Sequence, residues 1–305
     1  MGIGLIFPGQ GSQQVGMGAD FVARHALARE LFDQANEALG YDLRKLCLEG
    51  PEDELTLTFN AQPAILTVSV IAFRLLAERV AVQPLSVAGH SLGEYSALVA
   101  VGALSFADAV AAVHQRGRFM QQATPPGVGA MAAILGMDAA ELERICAEEA
   151  RGQVVSPANF NAPGQIVISG HAEAVKRVLA RGKGRLLQVS APFHCALLAP
   201  AAEAMRGVLA DIAFADASAP VVANASNDFL TQAADFPPSL VAQVTAPVRW
   251  DTGVKAMIAA GVDRVVEVGH GNVLAGLMKR IDRAVPARNV SDDASLAATV
   301  EAWPA

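Results

Sequence analysis

In residues 85–101, LSVAGHSLGEYSALVAV, a short apolar run meets a serine with a glycine two places to either side, and a helical pattern follows. This order constrains the fold more than any other feature of the chain. The backbone must turn sharply from a strand into a helix. Side chains beside Ser91 have no room in such a turn, so Gly89 and Gly93 stand there. A helix starting at Leu92 would direct its free N–H groups at whatever sits on Ser91, and a developing oxyanion would gain a backbone donor. The plainer reading is a glycine-rich turn with Ser91 as a helix cap. A strand before it and a helix after it favour a nucleophile.

Strand-like runs near 4–7, 85–88, 220–225, 264–268 and 287–290 alternate with helical patterns. The helices are expected near 18–38, 62–80 with Pro63 at the start, 92–101, 105–123, 199–212, 238–245, 249–260 and 272–281. This predicts an α/β fold with a largely parallel sheet covered on both faces. Between 127 and 192 the rhythm changes. Strand 130–135, helix 138–150, strands 154–160 and 165–169, helix 171–180 and strand 185–190 follow the ferredoxin-like order βαββαβ. Residues 127–192 therefore read as a small subdomain inserted into a larger one formed by 1–126 and 193–305.

The 305 residues are 52% hydrophobic and 17% charged, which supports a sizeable core. A net charge of −7 with no long basic run argues against nucleic acid or an acidic membrane as partner. Arg181, Lys183 and Arg185 form a local basic cluster that could meet an acidic partner or lie in a solvated loop. Cys47, Cys146 and Cys195 share no metal-ligand spacing and suit a reducing cytoplasm. The start, MGIGLIFPGQG, lacks a basic n-region and is not a signal peptide. The apolar run 64–73 is too short to span a bilayer. Asn224-Ala-Ser and Asn289-Val-Ser match the glycosylation pattern by chance.

Ser91 needs a base. His25 and His114 fall inside helices and read as surface or packing residues, His171 as a helix cap, and His90 as pocket lining. Two candidates remain. His270 follows the strand 264–268, where α/β-hydrolases place their base, and His194 stands where the inserted segment returns to the large unit. Spacing gives His270 a slight edge. On the helix 105–123, Ala109, Ala112, Val113, Arg116 and Met120 share one face, whereas Arg118 points to the polar side. An unpaired charge on an apolar face is costly, so Arg116 requires an anion. That anion is either a core carboxylate or a ligand whose carboxylate its planar fork would hold.

Seven stretches in register extend the reading: FPGQGSQ at 7–13, AQPAILTVSV at 61–70, GHSLGEYSAL at 89–98, RGRFMQ at 116–121, NFNAPGQIVISG at 159–170, PFHCAL at 192–197 and APVRW at 246–250. Together they resemble the malonyl-CoA:acyl carrier protein transacylase family over nearly the whole chain. The resemblance implies an α/β-hydrolase-like large subdomain with an inserted ferredoxin-like small one. It implies a Ser91–His194 dyad with no carboxylate, a backbone carbonyl near Gln243 orienting the base, and an oxyanion hole from the amides of Gln10 and Leu92. It overrules the edge given to His270, where the family more often has proline. Arg116 matches the residue that holds the malonyl carboxylate, and Phe193 and Leu92 match malonyl-selecting positions. Gln62, His90, Met120, Asn159 and Asn161 are expected lining. Ala61 replaces a more usual threonine.

The reaction so implied is ping-pong transfer of malonyl from CoA to the phosphopantetheine thiol of acyl carrier protein, supplying fatty acid synthesis. No cofactor or metal is expected, and neither is a membrane or nucleic-acid partner; a cytoplasmic monomer is expected. The alternatives are a stand-alone acyltransferase serving a polyketide synthase and a serine thioesterase or hydrolase. An acidic carrier would dock on Lys183, Arg185, Lys279 and Arg280.

Overall fold

A computed structural model describes residues 2–303. Its centre is a six-stranded sheet built from β1 (Ile3–Phe7), β2 (Ser86–Gly89), β7 (Val221–Val222), β8 (Phe229–Leu230), β9 (Arg264–Val268) and β10 (Ala287–Val290), in the order β10-β9-β1-β2-β7-β8. All pairings are parallel except β7 with β8. A second, wholly antiparallel sheet holds β3 (Gly129–Leu135), β4 (Val155–Ala162), β5 (Gln165–His171) and β6 (Lys183–Leu186), in the order β4-β5-β3-β6.

The apolar strands are buried on both faces, as a parallel sheet under two helical layers requires. Along β1, Ile3, Leu5 and Phe7 enter one core cluster and Ile6 enters the other. Val87 and Ala88 of β2 divide in the same way. The period of two along a strand produces this division. The antiparallel sheet has its own core, in which Ala132, Ile134, Ile166 and Ile168 pack on Leu142, Ile145, Val175 and Val178. The antiparallel sheet is tied at Val248 to the segment between the helices Phe236–Thr245 and Trp250–Ala259: the Val248 N–H donates to Ala158 O (2.8 Å) and its carbonyl accepts from Phe160 N–H (2.9 Å).

Several elements differ from expectation for identifiable reasons. The expected helix 18–38 is two, Ala19–Arg24 and Ala26–Leu39, broken at His25, whose backbone is extended. Pro63 lies inside the helix Thr58–Ala77, not at its start. Proline cannot donate to the carbonyl of Phe59, four residues back; the His114 ring supplies the missing donor, with Nδ1 2.8 Å from Phe59 O. His114 is thus a repair to a neighbouring helix, and that tolerance lets the helix run 20 residues. By length and composition it could cross a membrane, unlike the shorter run expected there, yet 83% of its apolar window is buried inside the protein. β6 begins two residues before the expected strand and is exposed throughout, so no apolar alternation marks it. His171 occupies a helix N-cap position without capping; its Nδ1 accepts from Val154 N–H at 2.9 Å.

Candidate active site

The turn after β2 is set by three close approaches. A Cβ on Gly89 would stand 1.8 Å from the carbonyl carbon of Gly93, one on Gly93 would stand 2.2 Å from Phe7 O, and one on Gly9 would stand 2.3 Å from His90 O. The helix Gly93–Ala100 therefore lies directly against the end of β1. Ser91 itself has φ +52°, a left-handed conformation that serine adopts only where its surroundings impose it.

Ser91 Oγ lies 2.7 Å from His194 Nε2. His194 Nδ1 faces two backbone carbonyls, Gln243 O at 3.0 Å and Ala246 O at 3.2 Å. The ring therefore carries its proton on Nδ1 and presents a bare Nε2 to the serine. No carboxylate among the described residues contacts it. Burial, the Arg116 charge and the nearby His90 push the His194 pKa down to about 3 against the pull of its two carbonyl partners, so the imidazole is neutral and ready to accept. His194 is 3% exposed and also has positive φ, +58°.

Arg116 is 1% exposed on the helix Phe106–Gln122. Gly117 lets that helix press on the backbone of Phe59, where a Cβ would come within 2.5 Å of the Phe59 Cα. Arg116 Nη1 donates to Gln62 Oε1 (2.9 Å), and Nη2 donates to Gln243 Oε1 (2.8 Å) and Ser91 Oγ (3.1 Å). All these acceptors are neutral. Nε is buried with no partner among the described residues. The core carboxylate that sequence allowed as its counter-ion makes no direct contact with it. The guanidinium also sits over the Tyr95 ring, 5.8 Å from its centre.

These groups border one cavity of about 600 Å³, which also receives Gln10, Gln62, His90, Leu92, Met120, Phe193, Asn159 and Asn161. His90 Nε2 is 2.8 Å from Asn161 Oδ1, and burial lowers its pKa. Gln62 Nε2 rests 3.8 Å from Met120 Sδ. Gln10 Nε2 donates to Thr58 Oγ1 at 3.2 Å. The backbone amides of Gln10 and Leu92 have no backbone acceptor among the described residues. Gln243 contributes its side chain from beneath and its carbonyl to the base.

His270 is not in this cavity. It borders a separate one with Gly16, Asp20, Asn289 and Asp292, and its Nδ1 has no partner among the described residues. The edge that spacing gave it fails because β9 lies beyond β1 from β2, about 10 Å away across the sheet. His25 is occupied elsewhere, with Nε2 2.8 Å from Asp293 Oδ1.

Sequence reasoning missed two residues here. Asn224, matched only to a glycosylation pattern, is 5% exposed and accepts Ser91 N–H on Oδ1 at 2.6 Å. Glu94 is 2% exposed and contacts both Asn224 and Gln243. An acid in the otherwise uncharged helix GEYSALVA was the available signal.

Residues 5–300 match the family described as acyl transferase domain. The chain is 48% identical over 303 residues to the malonyl CoA-acyl carrier protein transacylase of Escherichia coli K12, spanning 97% of this chain and 98% of that one. It is 46% identical over 306 residues to the protein of that name in Bacillus subtilis 168, spanning 98% and 96%. The solved malonyl CoA-acyl carrier protein transacylase of Coxiella burnetii superposes with a TM-score of 0.97 at 41% identity, over 99% of this chain and 97% of that one. A malonyl-transacylase in complex with a type II polyketide synthase acyl-carrier protein superposes with a TM-score of 0.97 at 43% identity, over 99% and 100%. A match that runs from the first strand into the last helix leaves no part of the Ser91 cavity outside it, and the chain belongs to the acyl transferase domain family.

Proposed function

We propose that the chain transfers malonyl from malonyl-CoA to the phosphopantetheine thiol of acyl carrier protein, in the service of fatty acid synthesis. The observation that carries this reading is the buried guanidinium of Arg116, held 3.1 Å from Ser91 Oγ with only neutral partners among the described residues. A hydrolase of simple esters gains nothing from that charge. A thioester with a free carboxylate gives it a counter-ion and places its own carbonyl at the serine.

His194 Nε2 takes the Oγ proton of Ser91 as the oxygen attacks the malonyl thioester carbonyl. Gln243 O and Ala246 O hold the imidazolium that forms, and the amides of Gln10 and Leu92 receive the oxyanion. CoA leaves as its thiol, carrying the proton from His194. The carrier thiol then gives its proton to His194 and attacks the malonyl-serine ester, and Ser91 regains a proton as it leaves. One thioester replaces another, so the exchange is close to balanced. His90, Gln62, Met120, Phe193, Asn159 and Asn161 shape the acyl pocket.

Residues 127–192 form a ferredoxin-like unit set into an α/β-hydrolase-like unit of 1–126 and 193–305. The separate core of the antiparallel sheet supports it, as does the meeting of its two ends, where a Cβ on Gly129 would touch the Pro192 ring. A cytoplasmic setting accords with three free, buried cysteines.

Intact-mass measurement after mixing with malonyl-CoA tests the function. The expected result is one malonyl adduct that Ser91→Ala abolishes and that carrier protein discharges faster than water does. An adduct on Ser91→Ala would refute the nucleophile, and discharge no faster with carrier than with water would make the protein a hydrolase.

A further inference from the structure

The cluster beneath Ser91 contains an ionisable group that the transfer itself does not use. Glu94 Oε2 accepts two hydrogen bonds, from Gln243 Nε2 (2.8 Å) and from the backbone N–H of Asn224 (3.1 Å). Both of those residues hold the Ser91 peptide. Asn224 Oδ1 receives Ser91 N–H (2.6 Å) while its Nδ2 donates to Gly89 O (2.7 Å). Gln243 Nε2 gives its second N–H to Ser91 O (2.9 Å). The left-handed serine is thus gripped at its N–H and at its carbonyl, and one carboxylate oxygen ties the two grips together.

We propose that Glu94 is the positioning residue of this site: through Asn224 and Gln243 it fixes the nucleophile's backbone, the base's carbonyl partner and the direction of the Arg116 guanidinium. The proposal rests on the reading of Ser91 as nucleophile.

The Gln243 amide has one donor end and one acceptor end. Its Oε1 faces Arg116 and its Nε2 faces Glu94. A carboxylate oxygen can only accept here, so it selects the NH₂ end of the amide and leaves the oxygen for the guanidinium. Ser91 O selects the same end of the amide, and Glu94 holds the second N–H of that NH₂ group, so the oxygen stays on the guanidinium. The backbone of the same Gln243 carries the carbonyl that receives His194 Nδ1–H. One residue therefore links nucleophile, base and cation. Burial alone would disfavour a charged Glu94; the two donors and the nearby Arg116 oppose that and leave its pKa at about 7. Retaining an acid in so apolar a helix is costly, which is consistent with a task in the site.

The bonds converge on one oxygen, so an acceptor in that place is required, not the charge. Glu94→Gln can present Oε1 there and keep both bonds. Glu94→Asp keeps the charge but falls a methylene short. The measurement is the rate of Ser91 labelling by a fluorophosphonate, which reports the nucleophile whatever the natural acyl group, alongside the malonyl adduct rate and a thermal melt. Glu94→Gln is expected within about threefold of the unaltered protein and Glu94→Asp slower by roughly tenfold or more, the scale of a misplacement of about 1 Å. Both are expected to melt cooperatively, and malonyl-CoA KM is expected to move less than kcat. Aspartate labelling as fast as the unaltered protein would overturn the proposal, as would glutamine as slow as aspartate. If the unaltered protein reacts with the fluorophosphonate but not with malonyl-CoA, the substrate reading fails and the Glu94 comparison still stands.

Discussion

Which charges have counter-ions decides the chemistry at Ser91. Arg116 has none in direct contact among the described residues, and one of its N–H groups rests on the hydroxyl that must attack. A malonyl carboxylate would draw that charge away from Ser91 and relieve one of the causes that depress the His194 pKa. An acetyl group would do neither. Arg116→Ala is accordingly expected to lower malonyl kcat/KM by more than about tenfold, and to leave acetyl transfer steady or faster. Arg116→Lys should restore malonyl only in part, because a point charge cannot make the fork. Steady-state rates with both thioesters decide this, and a proportional fall for the two would make Arg116 structural. Arg116 and Ser91 were legible in the sequence because each breaks a local pattern: a cation on an apolar stripe, a serine between two glycines. For His194, spacing left the choice with His270 open and the resemblance of PFHCAL decided it, since its bond to Ser91 spans 103 residues and only the assembled fold brings the two together. Glu94 was visible as an anomaly, but its task is defined by Asn224 and Gln243, more than 120 residues away.

Elements were legible where burial imposes a period. β9 and β10 lie where the sequence placed them, β9 marked by Val265, Val266 and Val268 and β10 by Ala287 and Val290. β7, two residues long, lies inside the expected strand 220–225; β8 was not expected; and β6 is exposed, so no apolar pattern marks its start and it begins two residues early. The capped last helix Asp293–Glu301 escaped notice although Asp292 and Ser295 form its capping box. The glycines give a sharp test at this scale. Gly93→Ala sets a methyl 2.2 Å from Phe7 O, a backbone atom that cannot rotate away, so β1 and the helix must part. The expected cost is about 1–3 kcal/mol, with loss of serine labelling. Gly207, in the helix Ala199–Ala210, has nothing within 4 Å of a Cβ, so Gly207→Ala is expected to add about 0.5–1 kcal/mol. Chemical denaturation of both variants checks the pair, and equal shifts would refute the close approach at Gly93.

At the scale of the whole molecule, the question is how an acidic chain meets an acidic carrier. Net charge repels, so attraction must come from a local field within a Debye length of about 10 Å. The antiparallel sheet offers one. Lys183 pairs with Leu135, and Leu135 with Gln165, so the three form a row across one end of that sheet. Arg280 reaches the far side of this row, donating to Gln165 Oε1 at 2.7 Å, with Lys279 beside it in the last turn of the helix Val273–Ile281. Arg185 lies two residues along β6 from Lys183. Arg181 is less available, because it is tied to Glu149 at 2.8 Å. Exposed Leu135 and Leu186 add apolar area on the same sheet. The carrier is therefore expected to dock across this end, between the antiparallel sheet and the helix Val273–Ile281. Lys183→Glu with Arg185→Glu should raise carrier KM several-fold at low salt and much less at high salt, and leave malonyl-serine formation unchanged, since neither side chain borders the Ser91 cavity. Titrating carrier at two ionic strengths measures it. A carrier KM that stays put at low salt would move the docking face elsewhere, and a slower acylation would mean that these strands shape the acyl pocket rather than receive the carrier.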